Sequence, residues 1–326
     1  MEMIRKKKDM SEFDNHVLAC LDLELILTQK CNLSCAHCMR GDCSNKQITA
    51  DVLDSVFSKF FYIDNLSLGG GEITLIPETI NLVTEKLKEH KVTVHHCNFT
   101  SNGTIVNDEV LNALKNLQDY IVSCDELPSL FRSSKKQKQV PMFVCFSFDE
   151  YHLLELEKRG ITAEQLFENI SKYQKVFGLE AIECRLACDM DVYDTGRATN
   201  LPSSANKVSL HKVMSEPYPF INLDNEALLI GNIIVVSCDG EIVPANISFK
   251  DEKALSFGNF KTHSVGQILS NMNAIETDAN GYNKARAKLF NSMTAPKKYQ
   301  KAYKKMGTKK LHYFYYMLEQ ASQKQQ

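Results

Sequence analysis

The stretch TQKCNLSCAHCMRGD, residues 28 to 42, sets thiols at Cys31, Cys35 and Cys38, and a fourth follows just beyond it at Cys43. Thiolates are soft ligands suited to iron in sulfur clusters, and three of them on one tight loop leave one iron of a 4Fe-4S cube without a protein ligand. That iron is then open to a substrate or a cofactor. A structural zinc ion with Cys43 as its fourth ligand is the competing chemistry, although zinc ribbons generally pair two short Cys-x-x-Cys knuckles across a long loop. Unligated thiols are the third reading, but cysteines packed for volume have no reason to share one polar loop.

Other side chains offer complementary chemistry. Gly70-Gly71-Glu72 closes an apolar run: glycines let backbone approach a ligand closely, and a carboxylate accepts from an ammonium, although such a run is also an ordinary turn. Asn102-Gly103 is a common turn, and Ser147-x-Asp149 a common helix cap. Arg197, in DTGRA at 194–198, reads by itself as a surface arginine. His95, His96 and His152 carry imidazoles that titrate near neutral pH and can either shuttle protons or serve as hydrogen-bonded side chains. The tail PKKYQKAYKKMGTKKLHYFYYML interleaves lysine with tyrosine, a composition that suits nucleic-acid phosphates and bases as well as a solvated helix face.

The chain around these residues has 326 positions, enough for one large domain with or without an appendage. Hydrophobic residues at 44% and charged residues at 24% exclude a disordered protein, and a formal net charge of -2 argues against a dedicated polyanion binder. The basic start MEMIRKKKDM leads into no apolar signal region, and no later apolar run is long enough to span a bilayer, so a cytoplasmic protein is expected. In that reducing compartment the eleven cysteines point to metal or cluster ligation rather than a disulfide framework.

Alternating strand and helix patterns hold the candidates. LDLELILTQ reads as a strand delivering the cysteines, TADVLDSVFSKFF as a helix behind Thr49, and NLSLGGGE as a second strand. PETINLVTEKLKEH is a helix opened by Pro77, VTVHHCNFTSNG a strand, and NDEVLNALKNL a helix. PMFVCFSFDEYH predicts a strand, TAEQLFENISKYQKVFG a helix ending on Gly178, and LEAIECRLACDMD a strand. Such units predict a parallel sheet with helices outside and chemistry at the C-terminal strand ends. Tyr120 to Ser123 reads as a short strand before a lysine-rich 124–141 insertion. Around LLIGNIIVVSCDGEIVPA a hairpin turning at Asp239-Gly240 is expected, followed by mostly helical sequence.

Cys31-x3-Cys35-x2-Cys38, with aromatic His37 before the last cysteine, resembles the signature of the radical S-adenosylmethionine (radical SAM) superfamily. The resemblance covers residues 20 to about 200 and implies a partial (β/α)6 barrel. It further implies one 4Fe-4S cluster whose free iron chelates S-adenosylmethionine and cleaves it reductively to a 5′-deoxyadenosyl radical that abstracts a substrate hydrogen. Gly70, Gly71 and Glu72 resemble the family's GGE motif at the cofactor's amino group, Asn102 its TNG strand end, Ser147 and Asp149 its ribose-contacting strand end, and Arg197 an arginine near the cofactor carboxylate. The segment SCDGEIVPANISFKDEKALSFGNFKTHSVGQIL resembles a SPASM/Twitch extension, but Ala245 stands where an auxiliary-cluster cysteine is usual. The domains expected are a polar leader at 1–19, a radical SAM core at 20–215, a reduced SPASM/Twitch-like α+β extension at 216–280 and a basic helical tail at 281–326. Cys184 and Cys188 read as core packing. Cys238 is either core packing or a hydrogen donor to a substrate radical.

Extensions of this type accompany enzymes that epimerise, crosslink or form thioethers in ribosomally made peptides, so the resemblance implies a peptide or small-molecule substrate and a reductant such as flavodoxin or ferredoxin. A nucleoside- or RNA-modifying radical SAM enzyme is the alternative within catalysis, and a four-cysteine zinc-stabilised binding protein the alternative outside it. No membrane partner is expected.

Overall fold

The computed structural model describes residues 18–124, 140–185, 192–202, 205, 207–209, 218–222, 227–268 and 271. The leader up to residue 17, most of the 124–141 insertion, Cys188 and the basic tail lie outside these residues. Strands and helices alternate as β1 (Leu18–Thr28), α1 (Ala50–Phe57), β2 (Phe60–Gly70), α2 (Pro77–Glu89), β3 (Thr93–Ser101), α3 (Asp108–Ser123), β4 (Met142–Ser147), α4 (Glu150–Lys158), α5 (Ala163–Phe177) and β5 (Ile182–Arg185). Short strands β6 (Val192–Asp194) and β7 (Lys207–Ser209) follow, then β8 (Tyr218–Asn222), β9 (Ala227–Val236), β10 (Glu241–Val243) and β11 (Gly258–Asn259).

Local chemistry sets the helix ends. Thr162 and Gln165 form a reciprocal capping box at the start of α5, and Gly178 ends that helix at φ 89°, a left-handed conformation that glycine adopts without a Cβ penalty. Pro77 opens α2 at a position where its missing N–H has no helical partner to lose. Asn107 accepts from the Val110 amide at the start of α3. Thr49 occupies the N-cap position of α1, but its hydroxyl turns to the Asp51 carboxylate instead of a backbone amide.

The strands from β1 to β5 lie side by side and parallel in chain order, giving the expected α/β architecture. The other edge of β1 is taken by β9, also parallel, with Leu18 opposite Leu228 and Leu25 opposite Val236. A hairpin through Gly240 then brings β10 back antiparallel to β9, so these strands belong to the same nine-stranded sheet. Among the described residues the sheet does not close into a barrel; β5 and β11 end its path.

Strand alternation divides the sheet into two different faces. Leu23, Leu25, Leu66, Leu68, Cys97, Phe99, Val144 and Phe146 pack with the buried sides of the helices into one apolar core. Asp22, Glu24, Asn65, Ser67, His96 and Asn98 alternate with them and are only half-buried.

Three expectations need correction. Tyr120 to Ser123 are the last turn of α3, not a strand: Ile121 faces the core, and the Tyr120 hydroxyl donates to the Leu87 and Val92 carbonyls at 3.1 and 2.7 Å. The strand expected through PMFVCFSFDEYH stops at Ser147, because Asp149 caps a helix that takes up the following residues. The strand expected through LEAIECRLACDMD begins only at Ile182, after a 3-10 turn at Leu179–Ala181, and runs to Arg185 within the described residues.

Candidate active site

β1 hands the chain directly to the cysteine loop at its C-terminal end, where chemistry on a parallel sheet is expected. Cys31, Cys35 and Cys38 are half-buried free thiols, and Cys43 is exposed. Cys31 and Cys35 pack against the edge of the main core. Burial, with neighbouring acids and cysteines adding to it, pushes the Cys31 thiol up to about 11 and the Cys35 thiol up to about 12, and the Leu33 amide opposes the rise at Cys31. Each needs a cation to become a thiolate at neutral pH.

The loop is held from several sides. Arg197 donates from Nε to the Cys35 carbonyl at 2.9 Å and from NH1 to the Gly41 carbonyl at 2.8 Å, while its own amide reaches the Cys38 carbonyl at 3.0 Å. Gly196 permits this approach, since a Cβ there would collide with the Met39 and Cys38 carbonyls. On the opposite side, Asn102 Nδ2 donates to Asn32 Oδ1 at 2.8 Å and lies 4.0 Å from the Cys31 sulfur. Asn32 Nδ2 continues to Thr104 Oγ1 at 2.8 Å, and Glu155 accepts from the Ser34 amide at 3.1 Å. Beneath, Arg40 reaches the Glu24 carboxylate and the Ile247 carbonyl.

The glycine strand end serves this loop directly. Gly71 N donates to the Thr28 carbonyl and Glu72 N to the Lys30 carbonyl, both at 2.7 Å. A Cβ on Gly70 or Gly71 would strike these same carbonyls. The close approach that the glycines allow is therefore to the backbone entering the cysteine loop. Glu72 is 1% exposed and accepts from the Thr74 amide and hydroxyl, the Ser101 hydroxyl and the Asn102 amide, at 3.1, 2.8, 3.0 and 2.7 Å. Burial pushes its pKa up, and these donors oppose the shift. Only Oε2, with one donor, keeps room for a further partner.

Ser147 and Asp149 sit at the end of β4. Asp149 caps α4 by accepting from the His152 amide at 2.9 Å, and its other oxygen lies 3.3 Å from His37 Nε2. Burial pushes the Asp149 carboxyl up, but the hydrogen bond from His37 and its charge prevail and hold it below the usual carboxylate range. His37 stacks on Tyr151, with ring centroids 5.0 Å apart. His152 is 1% exposed, and burial lowers its pKa, which keeps the ring neutral.

Cys238 is not brought to this site. It lies in a second apolar cluster with Ile26, Val235, Val243, Ala245 and Ile247, its thiol donating to the Ile26 carbonyl at 3.1 Å and pushed up to about 12 by burial. Cys184 is exposed on β5 rather than packed in the core. His96 Nδ1 donates to the Val140 carbonyl, 2.6 Å away, and His95 pairs with Asp64. Sequence reasoning missed Asn32, Arg40, Thr104, Tyr151 and Glu155. Of these, Asn32 and Arg40 lie inside the quoted cysteine stretch, so their position in sequence was the available signal.

The donor set fits an iron-sulfur cluster. Three free thiols share one loop, and Cys31 Sγ faces the Leu33 amide at 3.5 Å, the kind of N–H contact that tunes cluster sulfur. Four thiolates about a single tetrahedral zinc would sit about 3.8 Å from one another. Among the described residues no three of these sulfurs come within 4.8 Å of each other.

Residues 25–128 match the family described as the Radical SAM superfamily. Over 111 residues the chain is 32% identical to mycofactocin maturase MftC of Mycobacterium ulcerans (strain Agy99), covering 31% of this chain and 27% of the maturase, so the match spans about a quarter of that relative's length. Native anSMEcpe with bound AdoMet and Cp18Cys peptide aligns with a TM-score of 0.47 at 14% identity, covering 79% of this chain and 82% of that one. Streptococcus suis SuiB bound to precursor peptide SuiA aligns with a TM-score of 0.42 at 10% identity, covering 77% and 64%. The cysteine loop and the glycine strand end beneath it thus both fall within residues 25–128, the stretch that matches the radical SAM superfamily.

Proposed function

We propose that this chain is a radical SAM enzyme acting on a ribosomally made peptide. Cys31, Cys35 and Cys38 would hold one 4Fe-4S cluster, and S-adenosylmethionine would lie between it and the strand ends at Gly70, Gly71, Glu72, Asn102, Ser147 and Asp149. Bound together, these groups supply a 5′-deoxyadenosyl radical able to abstract a substrate hydrogen. The observation that carries this reading is the clasped cysteine loop, three half-buried thiols held over the strand ends by Arg197 and Asn102. Arg197 acts on the loop carbonyls and thereby fixes where the thiols point, whereas Asp149 and His37 shape the adjoining wall. Oε2 of Glu72 is the acceptor with capacity for a cofactor ammonium.

The SPASM/Twitch-like segment and the identity with a maturase support a peptide substrate, with epimerisation, a crosslink or a thioether as the outcome. A flavodoxin or ferredoxin would supply the electron. Anaerobic reconstitution with iron and sulfide, followed by assay for reductant-dependent 5′-deoxyadenosine, tests the reading. Release by the wild-type protein and none by Cys35→Ala is expected. Protein that takes up zinc but no iron, and releases no 5′-deoxyadenosine, would overturn it.

A further inference from the structure

The sheet face turned away from the helices carries a polar ladder that the cofactor site leaves unused. Register places Asp22 opposite Asn65 and Glu24 opposite Ser67, then Asn65 and Ser67 opposite His96 and Asn98. Parallel sheets ordinarily bury apolar runs on both faces. Here the helix side obeys that rule, while β1, β2 and β3 present amides, a hydroxyl and carboxylates on the other. Polar groups held at mid-sheet cost free energy unless polar partners meet them.

Most of the ladder is satisfied internally. Asn65 Nδ2 donates to Asp22 Oδ1 at 2.8 Å and to Ser67 Oγ at 3.2 Å, and Asn65 Oδ1 accepts from Asn98 Nδ2 at 2.7 Å. Asn65 is therefore fully engaged. What remains is Asp22 Oδ2, without a partner among the described residues, and one N–H of Asn98. Glu24 on the same face is neutralised by Arg40. His96 is engaged by the Val140 carbonyl, and burial lowers its pKa and keeps it neutral. Glu183, on edge strand β5, is exposed to solvent. Among the described residues Asp22 is the half-buried charge of the three central strands that no cation meets, and burial has already pushed its carboxyl up to about 6.

We propose that Asp22, with Asn98 across β2 from it and linked to it through Asn65 and Ser67, is a binding subsite for a primary ammonium of the peptide substrate, which donates to Asp22 Oδ2. This rests on the peptide reading above. One free carboxylate oxygen suits a compact ammonium better than a guanidinium, whose fork needs two acceptors. The remaining N–H of Asn98 can meet a carbonyl of the same peptide. Asp22 lies six residues before the end of β1, about 20 Å along the strand from the cysteine loop, so the subsite anchors the substrate and the reacting carbon lies elsewhere.

The ammonium can come from a lysine side chain or from a peptide N-terminus, and three synthetic probes separate them. One is a capped glycine pentapeptide with central lysine, one the same peptide with acetylated lysine, and one an uncapped glycine pentapeptide amide. Binding to the reconstituted protein is measured by calorimetry. The lysine probe or the uncapped probe should bind at least tenfold more tightly than the acetylated one, and the tighter of the two identifies the source. Asp22→Asn, checked for folding by circular dichroism, should abolish the preference. Ser67→Ala, which keeps the carboxylate, should retain it. Equal binding of all three probes by the wild-type protein overturns the subsite whether or not Asp22→Asn folds, as does a preference that survives Asp22→Asn. Reductant-dependent 5′-deoxyadenosine is read in parallel on the wild-type protein. Its presence without charge preference refutes the subsite alone, and its absence refutes the enzyme reading itself.

Discussion

The guanidinium of Arg197 donates to the carbonyl of Cys35 at 2.9 Å, joining two residues 162 positions apart. With the Gly41 carbonyl taken by the same side chain, one residue fixes both ends of the segment that carries Cys35 and Cys38. Hydrogen bonds from a charged donor contribute about 1.5–3 kcal/mol each. Arg197→Ala should lower iron incorporation on reconstitution at least twofold and 5′-deoxyadenosine formation at least tenfold. Arg197→Lys, a point charge without the fork, should fall between. Iron and sulfide analysis beside the cleavage assay checks this, and wild-type iron content in Arg197→Ala would show that the loop holds its shape unaided.

The four cysteines should separate into three and one. Cys31→Ala, Cys35→Ala and Cys38→Ala are each expected to abolish S-adenosylmethionine cleavage while the far-ultraviolet circular dichroism stays that of the folded protein. Cys43 is exposed, and Cys43→Ala should keep the cluster. Metal loss in Cys43→Ala as complete as in the other three would instead favour four-thiol zinc.

Glu72 joins the end of β2 to the end of β3 through Ser101 and Asn102, so its role extends beyond any ligand. Removing a buried acceptor leaves donors unpaired at about 1–3 kcal/mol each. Glu72→Ala should therefore lower the thermal midpoint by several degrees as well as weaken cofactor binding. A variant that loses affinity with an unchanged melt would show that the clasp contributes nothing to the fold.

Glu252 tests the electrostatics between extension and loop. It is 6% exposed, accepts from Gln29 Nε2 at 3.4 Å, and its carboxyl is pushed up to about 7 by burial, with Asp239 and Glu241 adding to a rise that Arg40 and Lys46 oppose. Because the folded-state pKa is raised, the folded protein holds the proton more tightly, and stability falls as pH rises from the unfolded value toward about 7. The penalty is complete above that pH and absent below about 4, where both states are protonated. Glu252→Gln should accordingly raise stability at pH 8 by on the order of 3 kcal/mol and change little at pH 4. Chemical denaturation at the two pH values measures the difference, and an equal effect at both would exclude ionisation as the cause.

The cysteine loop, the parallel strands and most helix boundaries were legible because they rest on local signals: thiol spacing, branched apolar runs, Pro77 and Gly178. The last turn of α3 was not, since Tyr120 is fixed by carbonyls of α2 and of the residue before β3. Asp149 looked like a cap and is one, but its contact with His37 depends on how the loop folds over β4. The polar ladder escaped notice for a related reason. Asp22, Asn65 and Asn98 stand on three separate strands, and only register makes them neighbours.

The pairing of β9 with β1 also bears on how the chain reaches its native state. During synthesis β1 emerges long before Leu228, so one side of it has no strand partner until most of the protein exists. An exposed strand edge invites association with other chains, and long-range pairing of this kind slows folding. The hairpin of β9 and β10 therefore acts as a late seal on β1, and a chain cut before it would leave that edge bare and prone to aggregate.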